Sequence, residues 1–184
     1  MKAGTHLGTF GREATPLPPL EATQARDHAF EAVVDRQTER LVRCLTSIFL
    51  DGELAADAAQ DAFVQLYRHW DRVTSAGSPD AWLFRVAINR GKDYRRGLTR
   101  TARLLQRLAD AAPITGTAVE WAPRAEFLSL LQHLPARQRT AAALYYDADL
   151  STAEIALVMG ISEGAVNSHL HRARVALRRT LEKP

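Results

Sequence analysis

The chain has 184 residues and a net charge of +3, and its length suits one or two small domains. No apolar run approaches the roughly 20 residues of a transmembrane helix, and the N-terminus lacks the apolar core of a secretion signal. With its single cysteine, Cys44, the chain cannot form an internal disulfide, which fits a reducing cytosol. We therefore predict a cytoplasmic protein without membrane insertion, in which Cys44 fills a core.

The first 27 residues are rich in glycine and proline and poor in large apolar side chains, which predicts a mobile tail. From about His28, apolar residues recur at helical spacing. A turn at Asp51-Gly52 precedes a second predicted helix, from about Glu53 to Trp70, and a loop over 71–77. The pattern Ser78-Pro79-Asp80 then indicates a helix start.

The helix that follows runs into a strongly basic segment. Residues 85–107 contain eight arginines or lysines and one acid, Asp93, so they carry +7 and the rest of the chain carries −4. A block of this kind in a near-neutral protein is typical of binding to a polyanion.

Composition divides the chain into two helical units. Residues 99–122 include Pro113 and Gly116 among alanines and threonines, which indicates a linker between domains. Helical patterns resume near Pro123, and Pro135 opens a further helix. Because no segment shows the alternation of a β-strand, we predict an all-α fold with one small domain over 28–98 and another over 123–184.

The second unit contains the pattern of a helix-turn-helix. Ser151 and Glu154 form a capping box at the start of one helix, and Gly160 ends it where a left-handed residue is needed. Ser162 caps the next helix after a turn of about three residues, which is the spacing of a helix-turn-helix.

The last helix has one apolar stripe and a broad polar face. Val166, Leu170, Ala173 and Leu177 form the stripe by their spacing. The polar face suits the DNA major groove, which accepts one helix, because Asn and Arg form bidentate bonds to base edges. A merely solvated helix face is the alternative. We predict that this outward face binds DNA through Asn167, Ser168, His171, Arg172 and Arg174. Of the arginines, Arg174 and, further along, Arg178 and Arg179 suit phosphates.

Two segments together resemble a known family. Residues 57–98 contain DAAQDAFVQLYRHWD and PDAWLFRVAINRGKDYRR, and residues 134–179 read LPARQRTAAALYYDADLSTAEIALVMGISEGAVNSHLHRARVALRR. Both are similar to bacterial sigma factors of the extracytoplasmic-function (ECF) group of the sigma-70 family, which keep only the second and fourth sigma domains. The resemblance covers about residues 28–182. It implies a promoter-specificity subunit that is not an enzyme and that binds core RNA polymerase and promoter DNA.

The resemblance also implies roles for individual residues in the first unit. In the family, the D-x-x-Q-D helix binds a coiled coil of the β′ subunit, and the matching residues are Asp57, Gln60 and Asp61. Their spacing alone would favour a solvated charged face. The W-L-x-R-x-A-x-N helix binds and melts the −10 element, and the residues expected to contact it are Arg85, Asn89, Arg90, Lys92, Arg95 and Arg96. We expect Trp82 to pack in the core, whereas Tyr94 could stack on DNA or pack on the bundle.

By the same resemblance, the second unit reads the −35 element with its last helix, and the β flap of core polymerase is a further expected partner. Ser162 joins the polar face of that helix as an expected DNA contact. Many family members have a basic residue at the positions of Asn167 and His169. This departure bears on the phosphate contacts and on the exact −35 sequence, which the resemblance therefore does not give. An anti-sigma protein is a possible further partner.

Two other functions compete with this interpretation. A conventional helix-turn-helix regulator would bind duplex DNA without acting as a sigma subunit, but it would not need the segment over 57–96. An all-helical enzyme would need a phosphate loop, a nucleophile motif or a metal motif, and none of these occurs in the sequence. No Cys or His cluster has zinc spacing, so we expect no metal and no cofactor.

Overall fold

The computed structural model describes residues 20–77, 79–108 and 122–182. These ranges contain eight α-helices and no strand, so the all-α class is confirmed. Within them, no helix has the length and apolar character to cross a membrane. The helices are α1 (Leu20–Phe49), α2 (Gly52–Arg68), α3 (Trp70–Ser75), α4 (Pro79–Leu108), α5 (Ala122–Leu131), α6 (Ala136–Tyr146), α7 (Thr152–Met159) and α8 (Glu163–Leu181).

Helices α1 to α4 form a front bundle in which α2 packs on both α1 and α4. The buried face of α2 is rich in alanine, at Ala55, Ala58, Ala59 and Ala62, and small side chains let the neighbouring helices approach closely. Larger residues of α1 and α4 fill the remaining space. Cys44 is fully buried among them, which confirms its predicted place in the core.

The first helix begins earlier than the sequence predicted. We expected a tail through residue 27, but α1 starts at Leu20. Side chains of this first part of α1 bind α2: Arg26 donates to the carbonyl of Tyr67 at 2.8 Å, and the Tyr67 hydroxyl donates to Asp27 at 3.0 Å. These contacts with α2 stabilise the early turns of α1. The composition of the segment predicted a tail, because it carries no information about contacts with a distant helix. The remainder of the predicted tail, 1–19, lies outside the described residues.

Two further boundaries differ from the prediction. The expected loop over 71–77 contains the short helix α3, whose Trp70 and Val73 are buried. Helix α4 continues to Leu108, so its last turns occupy the first part of the segment that we expect to be a linker. Apart from Gly97, the residues from 97 to 108 are compatible with a helix and include no proline. Residues 109–121 and the predicted cap Ser78 lie outside the described residues.

The local signals of the helix-turn-helix are confirmed. The Ser151 hydroxyl accepts from the Glu154 amide at 3.3 Å, and the Glu154 carboxylate accepts from the Ser151 amide at 2.8 Å. Hydrogen bonds from the Ser151 side chain and backbone hold the pKa of Glu154 below its ordinary value. Gly160 is left-handed with φ of 65°, and Ser162 accepts from the amide of Ala165.

Helices α5 to α8 form a rear bundle, and the two bundles lie against each other. Helix α1 packs on α6, and α4 packs on α7. A single apolar cluster extends from Leu41 of the front bundle to Leu144 and Ile155 of the rear bundle. The bundles therefore share part of their hydrophobic core.

Arginines cross between the bundles to the ends of helices. Arg139 of α6 donates to the carbonyl of Ile48 at 3.0 Å, and Arg43 of α1 donates to the carbonyl of Asp147 at 3.0 Å. Arg40 donates to the carbonyl of Ala148. The last carbonyls of a helix have no partner within that helix, so each bundle supplies cations for a helix end of the other. Burial, and secondly the charge of Arg95, lowers the pKa of Arg139.

Candidate nucleic-acid interface

Four of the six residues predicted to bind the −10 element form one exposed row on α4. Residues at spacings of four, three and four lie on the same face of a helix. The core face of this part of the helix is buried at Phe84, Ala87 and Ile88. The exposed row consists of Arg85, Asn89, Lys92 and Arg96. The packing of the opposite face in the core fixes the helix and so the position of the row. Arg96 also contacts Asp93 in the preceding turn.

The other two predicted residues contact the front bundle itself. The Nε of Arg90 is 3.9 Å from the carboxylate of Asp61 in α2. Arg95 donates to the carbonyl of Phe49, and its guanidinium lies 5.1 Å from the centre of the Phe49 ring. The sequence alone could not show that Arg90 and Arg95 contact the bundle while the other four residues face solvent. Their partners, Asp61 and Phe49, belong to other helices. The DNA contacts of all six residues stay predictions.

The residues predicted to bind polymerase lie on the outer side of α2. Asp57 and Gln60 are exposed, whereas Asp61 is half-buried. The Tyr94 hydroxyl donates to the Asp61 carboxylate at 2.5 Å. This hydrogen bond, and secondly burial, raises the pKa of Tyr94. Of the two possibilities left open for Tyr94, packing on the bundle is the one observed. Trp82 packs against the front core as expected.

Helix α8 presents the predicted −35 residues to solvent. Val166, Leu170 and Ala173 are buried along the predicted seam, and Leu177 is half-buried. The predicted contacts, all exposed, are Ser162, Asn167, Ser168, His171, Arg172 and Arg174. At about 100° per residue, the face divides into two adjacent rows, one with Asn167, His171 and Arg174 and the other with Ser168 and Arg172. His169 is half-buried beside the seam.

A contact that the sequence did not predict joins α6 to the first of these rows. The Nε of Arg174 donates to the Tyr146 hydroxyl at 2.9 Å, and the guanidinium lies 5.5 Å from the centre of the Tyr145 ring. The hydrogen bond to Tyr146 raises the pKa of Arg174. The two residues are 28 positions apart, and no periodicity in the sequence links them.

The two polar faces approach each other where the bundles meet. Arg85 of the α4 row and Ser162 of the rear bundle line the same surface cleft, of about 640 Å³. Residues from α7 and the turn after it, including Leu157 and Gly160, form its other wall. Among the described residues, no group of three or more His, Cys, Asp or Glu side chains is arranged to hold a metal ion.

Comparisons with known proteins match both units of the chain. The family described as Sigma-70 region 2 matches residues 33–101, and the family described as Sigma-70, region 4 matches residues 124–177. The RNA polymerase sigma-E factor of Streptomyces avermitilis is 33% identical over 83% of this chain and 85% of its own length. The chain belongs to the sigma-70 family.

Further relatives place it in the ECF group. The ECF RNA polymerase sigma factor SigL of Mycobacterium tuberculosis is 30% identical over 88% of this chain and 94% of its own length. The fold is similar to that of the sigma factor RpoE from Bartonella quintana, solved in complex with the anti-sigma factor NepR. That comparison gives a TM-score of 0.64 at 23% identity and covers 88% of this chain and 97% of the other.

Family membership decides between the functions that the sequence left open. Sigma factors are non-enzymatic promoter-specificity subunits, and this sigma factor binds core RNA polymerase, recognises promoter DNA and initiates transcription. A conventional regulator would have had no use for the segment over 57–96, whereas the match to region 2 includes that segment.

Proposed function

We propose that the two bundles divide the work of this sigma factor: the front bundle binds core polymerase and opens the −10 element, and the rear bundle reads the −35 element. The functional segments we assign are residues 28–98 within the front bundle and residues 123–184 for the rear unit. The observation that carries this proposal is that α4 and α8 each expose a polar row opposite a buried seam. The chain acts by binding, and it catalyses no reaction itself.

Polymerase binding is assigned to the outer side of α2. Asp57 and Gln60 are exposed and lie within one helical turn of each other, so an arginine-rich helix of the β′ subunit could form charge-assisted hydrogen bonds with both. Asp61 shares this side of α2 but already accepts from Tyr94 and lies near Arg90. Its proposed contribution is therefore to link the polymerase-binding face to α4.

The α4 row has the chemistry needed to hold a melted strand. Arg85, Lys92 and Arg96 supply positive charge along one line, which can follow a phosphate backbone. Asn89 lies between them, and its amide can bond a base edge. Extruding a base costs a few kcal/mol, and these contacts would offset that cost.

The α8 face has the chemistry needed to read duplex DNA. Asn167 in the second turn and Arg172 at the middle of the helix are exposed, and Gly164 and Ala165 add little bulk at its start. A helix of this kind fits the major groove, where Asn pairs with adenine and Arg with guanine. An anti-sigma partner that covers these faces stays a prediction.

Transcription by purified components tests the proposal. The chain is mixed with core polymerase that lacks any sigma subunit and with a library of promoter duplexes, and run-off transcripts are sequenced. We expect transcripts from a subset of templates that share two sequence elements. Absence of transcripts from every template would contradict the proposal.

A pair of charge reversals in α2 tests the polymerase-binding face. Asp57→Arg should reduce capture of core polymerase at least tenfold, because it places a cation against the proposed arginine-rich helix. Glu53→Arg is the matched control, since Glu53 is exposed one turn earlier on the same helix. Equal loss for both variants would show that only the net charge of α2 matters.

A further inference from the structure

The last turn of α6 holds an arginine of the recognition helix. Arg174 donates through Nε to the Tyr146 hydroxyl at 2.9 Å, and the ring of Tyr145 lies under its guanidinium. The two tyrosine rings are themselves in edge contact, with centroids 5.0 Å apart. Two aromatic residues of one helix thus restrict the side chain of an exposed arginine on another.

The contact leaves several hydrogen-bond donors available. An arginine carries five N–H donors, and the bond to Tyr146 uses only the one on Nε. In that bond the phenol oxygen is the acceptor, so the O–H of Tyr146 remains able to donate to another group. Tyr146 is 46% exposed, and Arg174 is exposed as well. The phenol and the terminal guanidinium nitrogens therefore offer donors side by side at the surface.

A phosphate oxygen is the ligand that fits this arrangement. Convergent donors on a planar cation match the geometry of phosphate, and most contacts between proteins and DNA go to the backbone. Arg174 lies two helical turns after Asn167 in the same row of α8. A helix that inserts its first turns into the major groove brings such a position towards the strand that borders the groove.

A purely structural role is the less favourable explanation. The pair is at the surface, and polar contacts at the surface contribute little to stability. Helix α6 is already fixed to α8 through the buried residues Ala142 and Ala173. The anchoring of α6 on α8 does not need an exposed hydrogen bond.

We propose that Tyr146 and Arg174 act together as a phosphate-binding pair that contacts the DNA backbone beside the −35 element. The proposal rests on the proposed function of the rear bundle as the −35 reader. Arg174 supplies the charge. Tyr146 holds the guanidinium in place and donates its own O–H to the same phosphate group.

The test measures binding of the holoenzyme to a promoter duplex selected by the run-off experiment, at several salt concentrations. Arg174→Ala should weaken binding at least tenfold and should lower the slope of log affinity against log salt by about 0.9, the value for one phosphate contact. Tyr146→Phe should weaken binding about threefold to tenfold and leave the slope unchanged, because it removes a neutral donor. The double variant should lose less than the product of the two single losses, because the pair acts as one unit.

A scan with single methylphosphonate substitutions identifies the phosphate. We expect one position beside the −35 element to weaken wild-type binding and to have no effect on Arg174→Ala. Tyr67→Phe is the control, since it removes an exposed tyrosine hydroxyl from the front bundle. Unchanged binding by Tyr146→Phe would overturn the proposal, and so would a loss that merely follows a lowered unfolding temperature. Failure of the proposed function is distinguishable, because wild-type holoenzyme would then show no dependence on the −35 sequence.

Discussion

Arg172 and Arg174 are two residues apart in α8, yet their surroundings predict different roles. Arg174 is held by Tyr146, whereas Arg172 lies in the adjacent row, exposed and directed away from the buried seam. A base reader contributes to discrimination between sequences, and a phosphate contact contributes to affinity for every sequence. The two arginines therefore allow a direct comparison within one helix.

We expect Arg172→Ala to cost about 1–3 kcal/mol on the preferred promoter and to relax the preference at one base pair of the −35 element. Arg174→Ala should weaken binding to all −35 variants by a similar factor. The measurement is competition of holoenzyme binding among duplexes with single base-pair changes. If Arg172→Ala weakened all competitors equally, Arg172 would be a backbone contact and not a base reader.

Individual residues of the site differ in whether their exposure could be predicted from the sequence. The exposed rows could be predicted, because helical spacing alone separates Arg85 and Asn89 from the core face. The half-buried state of Asp61 could not be predicted, since it depends on Tyr94 and Arg90 in another helix. Both partners became visible only when the packing of α2 on α4 was known.

At the level of elements, the close packing of α4 against the end of α1 depends on one glycine. Gly91 is buried, and a methyl group at this position would overlap the ring of Phe49 at the end of α1. Phe49 is itself only 5% exposed, and Arg95 lies on its ring. The ring therefore has little freedom to move away, and the close approach of α1 to α4 requires the absence of a side chain at Gly91.

We expect Gly91→Ala to lower the free energy of unfolding by about 1–3 kcal/mol, because overpacking outweighs the gain in helix propensity. Gly97→Ala in the same helix is the matched control, since Gly97 is exposed and an added methyl group meets no neighbour. This control should raise the free energy of unfolding by about 0.5–1 kcal/mol. Urea denaturation monitored by circular dichroism measures the free energy of unfolding of both variants. Stabilisation by both would show that the Phe49 ring moves aside to make room for the added methyl group.

The elements that the sequence predicted well are those with local signals. The capping box of Ser151 and Glu154, the left-handed Gly160 and the cap at Ser162 each depend on residues within four positions. Helix α3 and the early start of α1 depend on distant contacts, such as that between Arg26 and Tyr67. The same distinction explains why the packing of α1 on α6 was not foreseen.

At the scale of the whole molecule, the observed arrangement is too compact for a promoter. The two elements are named for their distance from the transcription start, so they lie roughly 25 base pairs apart, or about 85 Å at about 3.4 Å per base pair. In the structure, Arg85 and Ser162 line one cleft. Even end to end, the polar rows of α4 and α8 extend about 35 Å at about 1.5 Å per residue. Binding of both elements at once therefore requires the bundles to separate.

The arginines that cross between the bundles should control this separation. A hydrogen bond to a charged group contributes about 1.5–3 kcal/mol, and each 1.4 kcal/mol changes a population about tenfold. Replacing both Arg43 and Arg139 by alanine removes the bonds to Asp147 and Ile48. We expect this double variant to raise the separated population of the free protein at least about tenfold.

Fluorescence energy transfer between dyes on cysteines introduced at Glu53 and Gln132, which are both exposed, measures the separation. Cys44 is fully buried and should not react. The wild-type protein should give high transfer when free and low transfer when bound to core polymerase and promoter, whereas the double variant should already show reduced transfer when free. Arg36→Ala is the control, because Arg36 pairs with Asp80 within the front bundle. High transfer that persists in the promoter complex would mean that the bundles stay together and that one of the two proposed DNA faces is wrongly assigned.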